Sequence, residues 1–214
     1  MLRRMDRRGR VLDMRGTIHR SVKYGGTPLE LKFRRRHPKP VNLVLILDAS
    51  GSMNLYSSLF VRFIRGVLGS FRSAEAFVFH TRLAHISPAL KEKNLGRALE
   101  RMAILASGWS GGTRIGDCLR RFNDHYAAEI LNSRSVVIVM SDGYDTGEPA
   151  LLGEEMRRLK RRARKVVWLN PLIGWRDYEP VAGGMAAALP HIDLFAPAHN
   201  LESLTELEPL LARL

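Results

Sequence analysis

The sequence predicts an α/β protein: a Rossmann-like, doubly wound, mostly parallel sheet with helices on both faces. Three observations carry that prediction. Two runs, Val41–Leu47 (VNLVLIL) and Ser135–Ser141 (SVVIVMS), are apolar and branched almost without a break, the composition of strands buried on both faces of a parallel sheet. Segments with helical spacing lie between these and other short apolar runs, an alternation typical of βαβ units. Each long run also ends in an aspartate, Asp48 and Asp142, at the strand edge where open α/β sheets place their ligand sites.

Taken in order, residues 1–40 form a region of their own, a basic arm or hairpin. Gly16–Lys23 and Pro28–Phe33 have partial strand character, with Gly25-Gly26-Thr27 as the turn between them. The tract Arg34-Arg35-Arg36-His37-Pro38-Lys39-Pro40 ends this region, because proline rejects helix and cannot donate to a central ladder. The globular domain is expected over residues 41–214. After the Asp48 turn, Leu59, Phe60, Phe63, Ile64, Val67, Leu68 and Phe71 recur at helical spacing as a core stripe. Glu75–Thr81 and Arg82–Ser87 read as two short paired strands at the sheet edge, with His80 and His85 structural or exposed. Leu95, Leu99 and Met102 to Leu105 suggest a short helix. A helix from Arg114 carries Ile115, Cys118, Leu119, Phe122 and Tyr126 inward, and its free backbone N–H groups are expected to help hold an anion. Glu148-Pro149 opens a further helix with proline in its permitted first turn. A strand at Val166–Asn170, a helical stretch over 176–188, a strand at His191–Phe195 and a leucine-rich terminal helix over Asn200–Leu214 complete the expectation.

Composition narrows the classes. The chain has 214 residues, 45% hydrophobic and 26% charged, enough for one α/β domain with a sizeable core and an appendage. No apolar run approaches the roughly twenty residues of a membrane span, and the basic amino-terminal stretch lacks the apolar segment of a secretory signal. Its single cysteine, Cys118, excludes an internal disulfide framework and reads as a small core residue; a cytoplasmic location is expected. The formal charge is +13, of which residues 1–40 supply +10 through thirteen Lys/Arg against three acids. A second basic cluster runs from Arg157 to Lys165. Such runs attract acidic protein surfaces or nucleic acid. With no nucleic-acid module or aromatic interleaving, an acidic protein partner is the favoured reading. A nucleic-acid-binding protein using the Arg-rich arm and helix is the alternative.

The chemistry concentrates at Asp48-Ala49-Ser50-Gly51-Ser52. Three oxygen side chains at alternate positions suit a hard cation such as Mg²⁺, which takes six oxygens and keeps some water. The same residue types are also good helix N-caps, and the turn alone does not separate the two readings. Two other stretches add oxygens: the glycine-rich Ser110-Gly111-Gly112-Thr113 and the Asp142-Gly143 that follows the second strand. Together, Asp48-x-Ser50-x-Ser52, then Thr113, then Asp142 resemble the metal-ion-dependent adhesion site (MIDAS) of von Willebrand factor A (VWA) domains. The resemblance implies Ser50, Ser52 and Thr113 as direct ligands, Asp48 and Asp142 acting largely through water, and Mg²⁺ as the metal, with Mn²⁺ or Ca²⁺ as substitutes. Further similarity to the CoxE-like group of VWA proteins runs through GGTPLEL, LDASGSM, SGGTRIGDCL, SDGYDTGEPALL, VVWLNPLIG and LPHIDLFAPAHNLESL. That group implies a MoxR-class AAA+ ATPase as partner. It also implies service as a protein-binding chaperone in maturing a metalloenzyme such as carbon monoxide dehydrogenase. An acidic client would supply a Glu or Asp to the metal. Members usually carry a further amino-terminal helical region with no counterpart here, so the chain is expected to be a short form or a piece of a longer protein.

Enzyme readings fail on particular residues. A nucleophile elbow needs glycines where Asp48 and Ser52 stand. The loop before Thr113 lacks the Gly-Lys-Ser/Thr of a phosphate-binding loop, and no Cys/His cluster has zinc spacing. Metal-assisted hydrolysis needs a general base, and Asp145 is the nearest candidate. The expectation is a binding module, not an enzyme.

Overall fold

A computed structural model describes residues 5–6, 11–12, 14, 17, 33–34, 41–50, 66, 71, 73–90, 112–173 and 183–198. The expected helices over 95–105 and 200–214, and most of the core stripe over 59–71, lie outside the described residues; within the last, Gly66 is helical and Phe71 is half-buried.

The chain divides into two compact units, Met1–Lys39 and Pro40–Leu214. In the first, β1 (Met5–Asp6), β2 (Val11–Leu12) and β3 (Phe33–Arg34) form a three-stranded antiparallel sheet in the order β1-β3-β2. The expected strand over Gly16–Lys23 is corrected at Thr17, which is helical and buried. Among the described residues the strands of this unit are two residues long, too short for an alternating pattern to reveal them.

The second unit is built on a six-stranded sheet in the order β6-β5-β4-β7-β8-β9. Its strands are β4 (Asn42–Asp48), β5 (Ser73–Phe79), β6 (Leu83–His85), β7 (Ser135–Met140), β8 (Lys165–Asn170) and β9 (Leu194–Pro197). All neighbours are parallel except the β5–β6 edge pair. Every residue of β4 and of β7 is buried, which explains the apolar runs Leu43–Leu47 and Val136–Met140 within them. Alternate side chains supply opposite cores: Leu43, Leu45 and Leu47 face one, Val44 and Ile46 the other. Burying each such side chain contributes roughly 1.5–3 kcal/mol.

Helices α1 (Ser87–Leu90), α2 (Ile115–His125), α3 (Ala127–Ile130), α4 (Pro149–Arg162) and α5 (Gly183–Ala188) are also described. In α2 the buried Ile115, Cys118, Leu119 and Phe122 lie at helical spacing, and in α4 Leu152, Met156 and Leu159 do the same. Pro149 sits in the first turn of α4, and Lys160, Arg161 and Arg162 in its last turn complement the dipole. The expected His191–Phe195 strand is displaced: Pro190 favours a 3-10 turn over Leu189–His191, and pairing begins at Leu194.

Asn42 fixes the register that brings the sheet's far edge into line. Its amide donates to Ser135 Oγ at 3.1 Å and to the Ile130 carbonyl at 2.6 Å, and its Oδ1 accepts from Ser73 Oγ at 2.7 Å. Both serines open the strands flanking β4 and lie level with Asn42. Six residues on, Asp48 is level with Phe79 on one side, and the preceding Leu47 with Met140 on the other. The chain leaves β4 for β5 on one side and later returns to β7 on the other. The carboxyl ends of β4 and β7 therefore flank the topological switch point, where loops diverge and leave a crevice.

Candidate metal centre

Asp48 is the last residue of β4 and Asp142 lies two positions beyond the end of β7. Both are buried, at 4% and 3% exposure. Ser141 links them: its hydroxyl donates to Asp48 Oδ2 at 2.7 Å and accepts the Gly143 N–H at 3.0 Å. The other oxygen, Asp48 Oδ1, accepts the Ser50 N–H at 2.8 Å. This i to i+2 bond folds the turn after the strand. Asp142 repeats it with the Tyr144 N–H at 3.0 Å, and Asp145 repeats it with the Gly147 N–H at 3.0 Å. Short acidic side chains make such turns because they reach their own backbone two residues on.

Burial pushes the Asp48 carboxyl up to about 6, against hydrogen bonds from Ser141 and Ser50 that favour its charged form; the neighbouring Asp142 charge adds to the rise. Among the described residues no lysine, arginine or histidine forms an ion pair with Asp48. An anionic Asp48 is thus held in a poorly solvated place with no counter-charge among the described residues.

The threonine loop reaches the same end of the sheet by two anchors. Consecutive carbonyls at the exit of β5 serve two segments: Phe79 accepts the Ala49 N–H at 2.8 Å, and His80 accepts the Arg114 N–H at 2.9 Å. The Asp48 turn and the Thr113 loop are therefore tied to adjacent residues. Thr113 is itself buried, at 8% exposure, and Ser50 at 6%. On its other side, the Thr113 carbonyl accepts both the backbone N–H and the hydroxyl of Thr146, each at 2.9 Å. A Cβ on Gly112 would collide with the Thr146 side chain, so the close approach of these loops requires glycine there.

From behind, β8 holds the exit of β7. Trp168 Nε1 donates to the Ser141 carbonyl at 3.0 Å and Asn170 Nδ2 to the Asp142 carbonyl at 2.9 Å. Gly143 takes a positive φ of 85°, and a Cβ there would lie 2.8 Å from Met185 Sδ.

Of the five residues singled out in the sequence, Asp48, Ser50 and Asp142 gather at the switch point, and Thr113 is anchored to the neighbouring strand end. Ser52 lies outside the described residues. The donor chemistry fits a hard cation: carboxylate and hydroxyl oxygens lie around a buried carboxylate that no described cation pairs with. Sequence reasoning missed Ser141 and Thr146; a polar residue closing an otherwise apolar strand was the available signal for the first.

One expectation is corrected here. The backbone N–H groups at the start of α2 are not open to an outside anion: Ile115 N donates to Asp145 Oδ1 at 3.0 Å and Gly116 N to Asp145 Oδ2 at 3.2 Å. The same bonds commit the Asp145 carboxylate to the backbone. Four of the seven cations from Arg157 to Lys165 are ion-paired. Arg157 bonds Glu154, Arg158 bonds Asp124 and Glu155, and Lys160 and Lys165 both pair with Asp193. None of the described helices is long and apolar enough to cross a membrane.

A family described as VWA domain containing CoxE-like protein matches residues 1–204. Among solved structures, the fold is similar to a von Willebrand factor type A protein from Catenulispora acidiphila. There the TM-score is 0.55 at 16% identity, covering 82% of this chain and 42% of that one. Proximal thread matrix protein 1 from the mussel byssus, solved with a zinc-occupied MIDAS motif, gives a TM-score of 0.51 at 19% identity, covering 80% and 44%. BatB from Bacteroides thetaiotaomicron gives 0.50 at 15% identity, covering 81% and 98%. This chain thus spans less than half the length of the first two, and at these identities the likeness establishes the fold. No curated protein matches the sequence.

Proposed function

This chain belongs to the family of VWA-domain-containing CoxE-like proteins, and from that premise we propose that it is a Mg²⁺-dependent protein-binding module. Ser50, Ser52 and Thr113 would hold the ion directly, and Asp48 and Asp142 would orient its water. When bound, the metal supplies an electrophilic position for a carboxylate, because neutral hydroxyls leave most of its charge uncompensated. The observation that carries this reading is the Ser141 bridge. It holds the buried Asp48 carboxylate beside the Asp142 turn, across 93 positions of sequence, at the sheet's switch point.

The chain's own residues do three things in this reading. Asp48 stores negative charge where burial makes it costly, so a cation is favoured there. The i to i+2 bonds of Asp48 and Asp142 fix their turns in advance, which lowers the ordering cost of binding. The tethers from Phe79 and His80 hold the threonine segment near the first turn. The partner is a MoxR-class AAA+ ATPase, and the client an acidic protein offering Glu or Asp, in the maturation of a metalloenzyme such as carbon monoxide dehydrogenase. With four of the seven cations from Arg157 to Lys165 ion-paired within the chain, the nucleic-acid alternative rests chiefly on residues 1–40.

The test is complex formation with the purified ATPase in Mg²⁺ and in EDTA. Asp48→Ala should abolish Mg²⁺ binding and metal-dependent capture together. Undiminished capture in EDTA sinks the carboxylate bridge.

A further inference from the structure

Asp145 lies outside the five-residue set, yet its carboxylate accepts three backbone hydrogen bonds. Oδ1 accepts the N–H groups of Ile115 and Gly147, both at 3.0 Å, and Oδ2 accepts that of Gly116 at 3.2 Å. Its neighbour Thr146 returns two bonds at 2.9 Å to the Thr113 carbonyl. Four bonds therefore stitch residues 113–116 to residues 145–146, and the Gly112 approach to Thr146 closes the seam. Thr113 sits at one end of this seam, and Asp142 stands three residues before the other.

We propose that Asp145 is a positioning residue for the metal centre, clamping the Thr113 loop to the Asp142 loop so that ligands from both are presented together. This inference rests on the metal-binding reading above. Charge is the reason for an aspartate here. The two N–H groups at the start of α2 carry the positive end of the helix dipole and satisfy an ionised carboxylate without any cation. Asp145 can thus stand near the site without adding its charge to the metal's ligands. Hydrogen bonds to a charged acceptor are also stronger than neutral ones, which suits a clamp that must keep a neutral hydroxyl in place. A partner's carboxylate then finds the metal as its anchor, since the helix start is already taken.

The experiment uses the full chain and Mn²⁺ as the probe. The free-ion EPR signal reads affinity, and thermal unfolding in EDTA reads stability without metal. Asp145→Ala should weaken Mn²⁺ binding at least tenfold. Asp145→Asn, which keeps an oxygen for Ile115 and Gly147 but cannot accept from Gly116, should weaken it less. Thr146→Val, which removes one bond to Thr113, should also weaken it measurably. Variants that unfold earlier in EDTA yet bind Mn²⁺ as the wild type does would reduce Asp145 to an ordinary helix cap and overturn the proposal. Should Asp145→Ala fail to fold, unaltered affinity in Asp145→Asn and Thr146→Val overturns it equally. Wild-type protein that binds no Mn²⁺ overturns the metal reading and this inference with it. Binding that Asp48→Ala abolishes and the Asp145 and Thr146 variants leave intact overturns this inference alone.

Discussion

Ser141 donates its hydroxyl to Asp48 Oδ2 at 2.7 Å while accepting the Gly143 N–H at 3.0 Å, so one buried side chain serves both aspartate turns. Ser141→Ala removes a bond that favours the charged form of Asp48 and leaves the Gly143 N–H without that acceptor. We expect metal affinity to fall about tenfold and metal-free stability to fall by about 1–2 kcal/mol, the ordinary cost of an unsatisfied buried group. Metal titration and urea unfolding in EDTA measure the two effects separately. Unchanged affinity would place Ser141 outside the site's working parts.

Metal that binds the folded chain and not the unfolded one stabilises it by mass action. At one hundred times the dissociation constant the gain is about 2.7 kcal/mol. For a chain of this size that corresponds to a rise in Tm of roughly 5–10 °C. A thermal scan in Mg²⁺ against EDTA should show the rise in the wild type and none in Asp48→Ala. An identical Tm in both buffers across a wide Mg²⁺ range would refute binding.

The sheet was readable because β4 and β7 are buried along their whole length, and unbroken burial writes itself as a long apolar run. The two aspartates were readable because each ends such a run. Partners chosen by three-dimensional proximity left no such trace. Ser141 looks like the last residue of a strand until Asp48 is seen beside it. Asp145 looks like a spare acid until α2 is seen starting 30 positions earlier in the sequence but next to it in space. The cations Arg157 to Lys165 looked like a basic surface because Asp124, Glu155 and Asp193, which neutralise several of them, come from separate elements or the helix's own buried face.

Glu155 is 3% exposed and ties α4 to α2. It accepts from Asn123 Nδ2 at 2.8 Å and from Arg158 at 2.8 Å. Glu155→Ala strips the buried Asn123 amide of one acceptor and leaves Arg158 with Asp124. The expected loss is about 2 kcal/mol, in the range for hydrogen bonds to charged groups. Metal affinity should not change, since the contact lies away from the strand ends. Chemical denaturation and metal titration together check this, and a large affinity loss would show that the helix pair is coupled to the site.

Cys118 is buried at 2% exposure, and burial, reinforced by the charge of Asp117, pushes its thiol up to about 12. Only the thiolate reacts readily. A thiol reagent at pH 8 should therefore leave the native chain unmodified and label it once in denaturant. Rapid labelling of the folded protein would contradict the packing of α2 against the sheet.

Asp193 gives the fold a defined acid sensitivity. Burial works to raise its carboxyl, but hydrogen bonds from Lys160, from the Val166 N–H at 2.8 Å and from Lys165, with the Lys160 charge, outweigh it and hold the group below the ordinary carboxylate range. A carboxylate held low in the folded state stabilises it above the unfolded pKa of about 3.9, and that contribution is lost as pH falls through the lower folded value. Asp193→Asn should accordingly be less stable than the wild type at pH 7, by an amount that stays constant down to about pH 5. The gap should then narrow steadily below about pH 4, as the wild type takes up the proton its variant cannot. Urea unfolding of both proteins between pH 7 and pH 3 tests the sign. A gap that widened on acidification would mean that the β8–β9 corner is held by something other than these ion pairs.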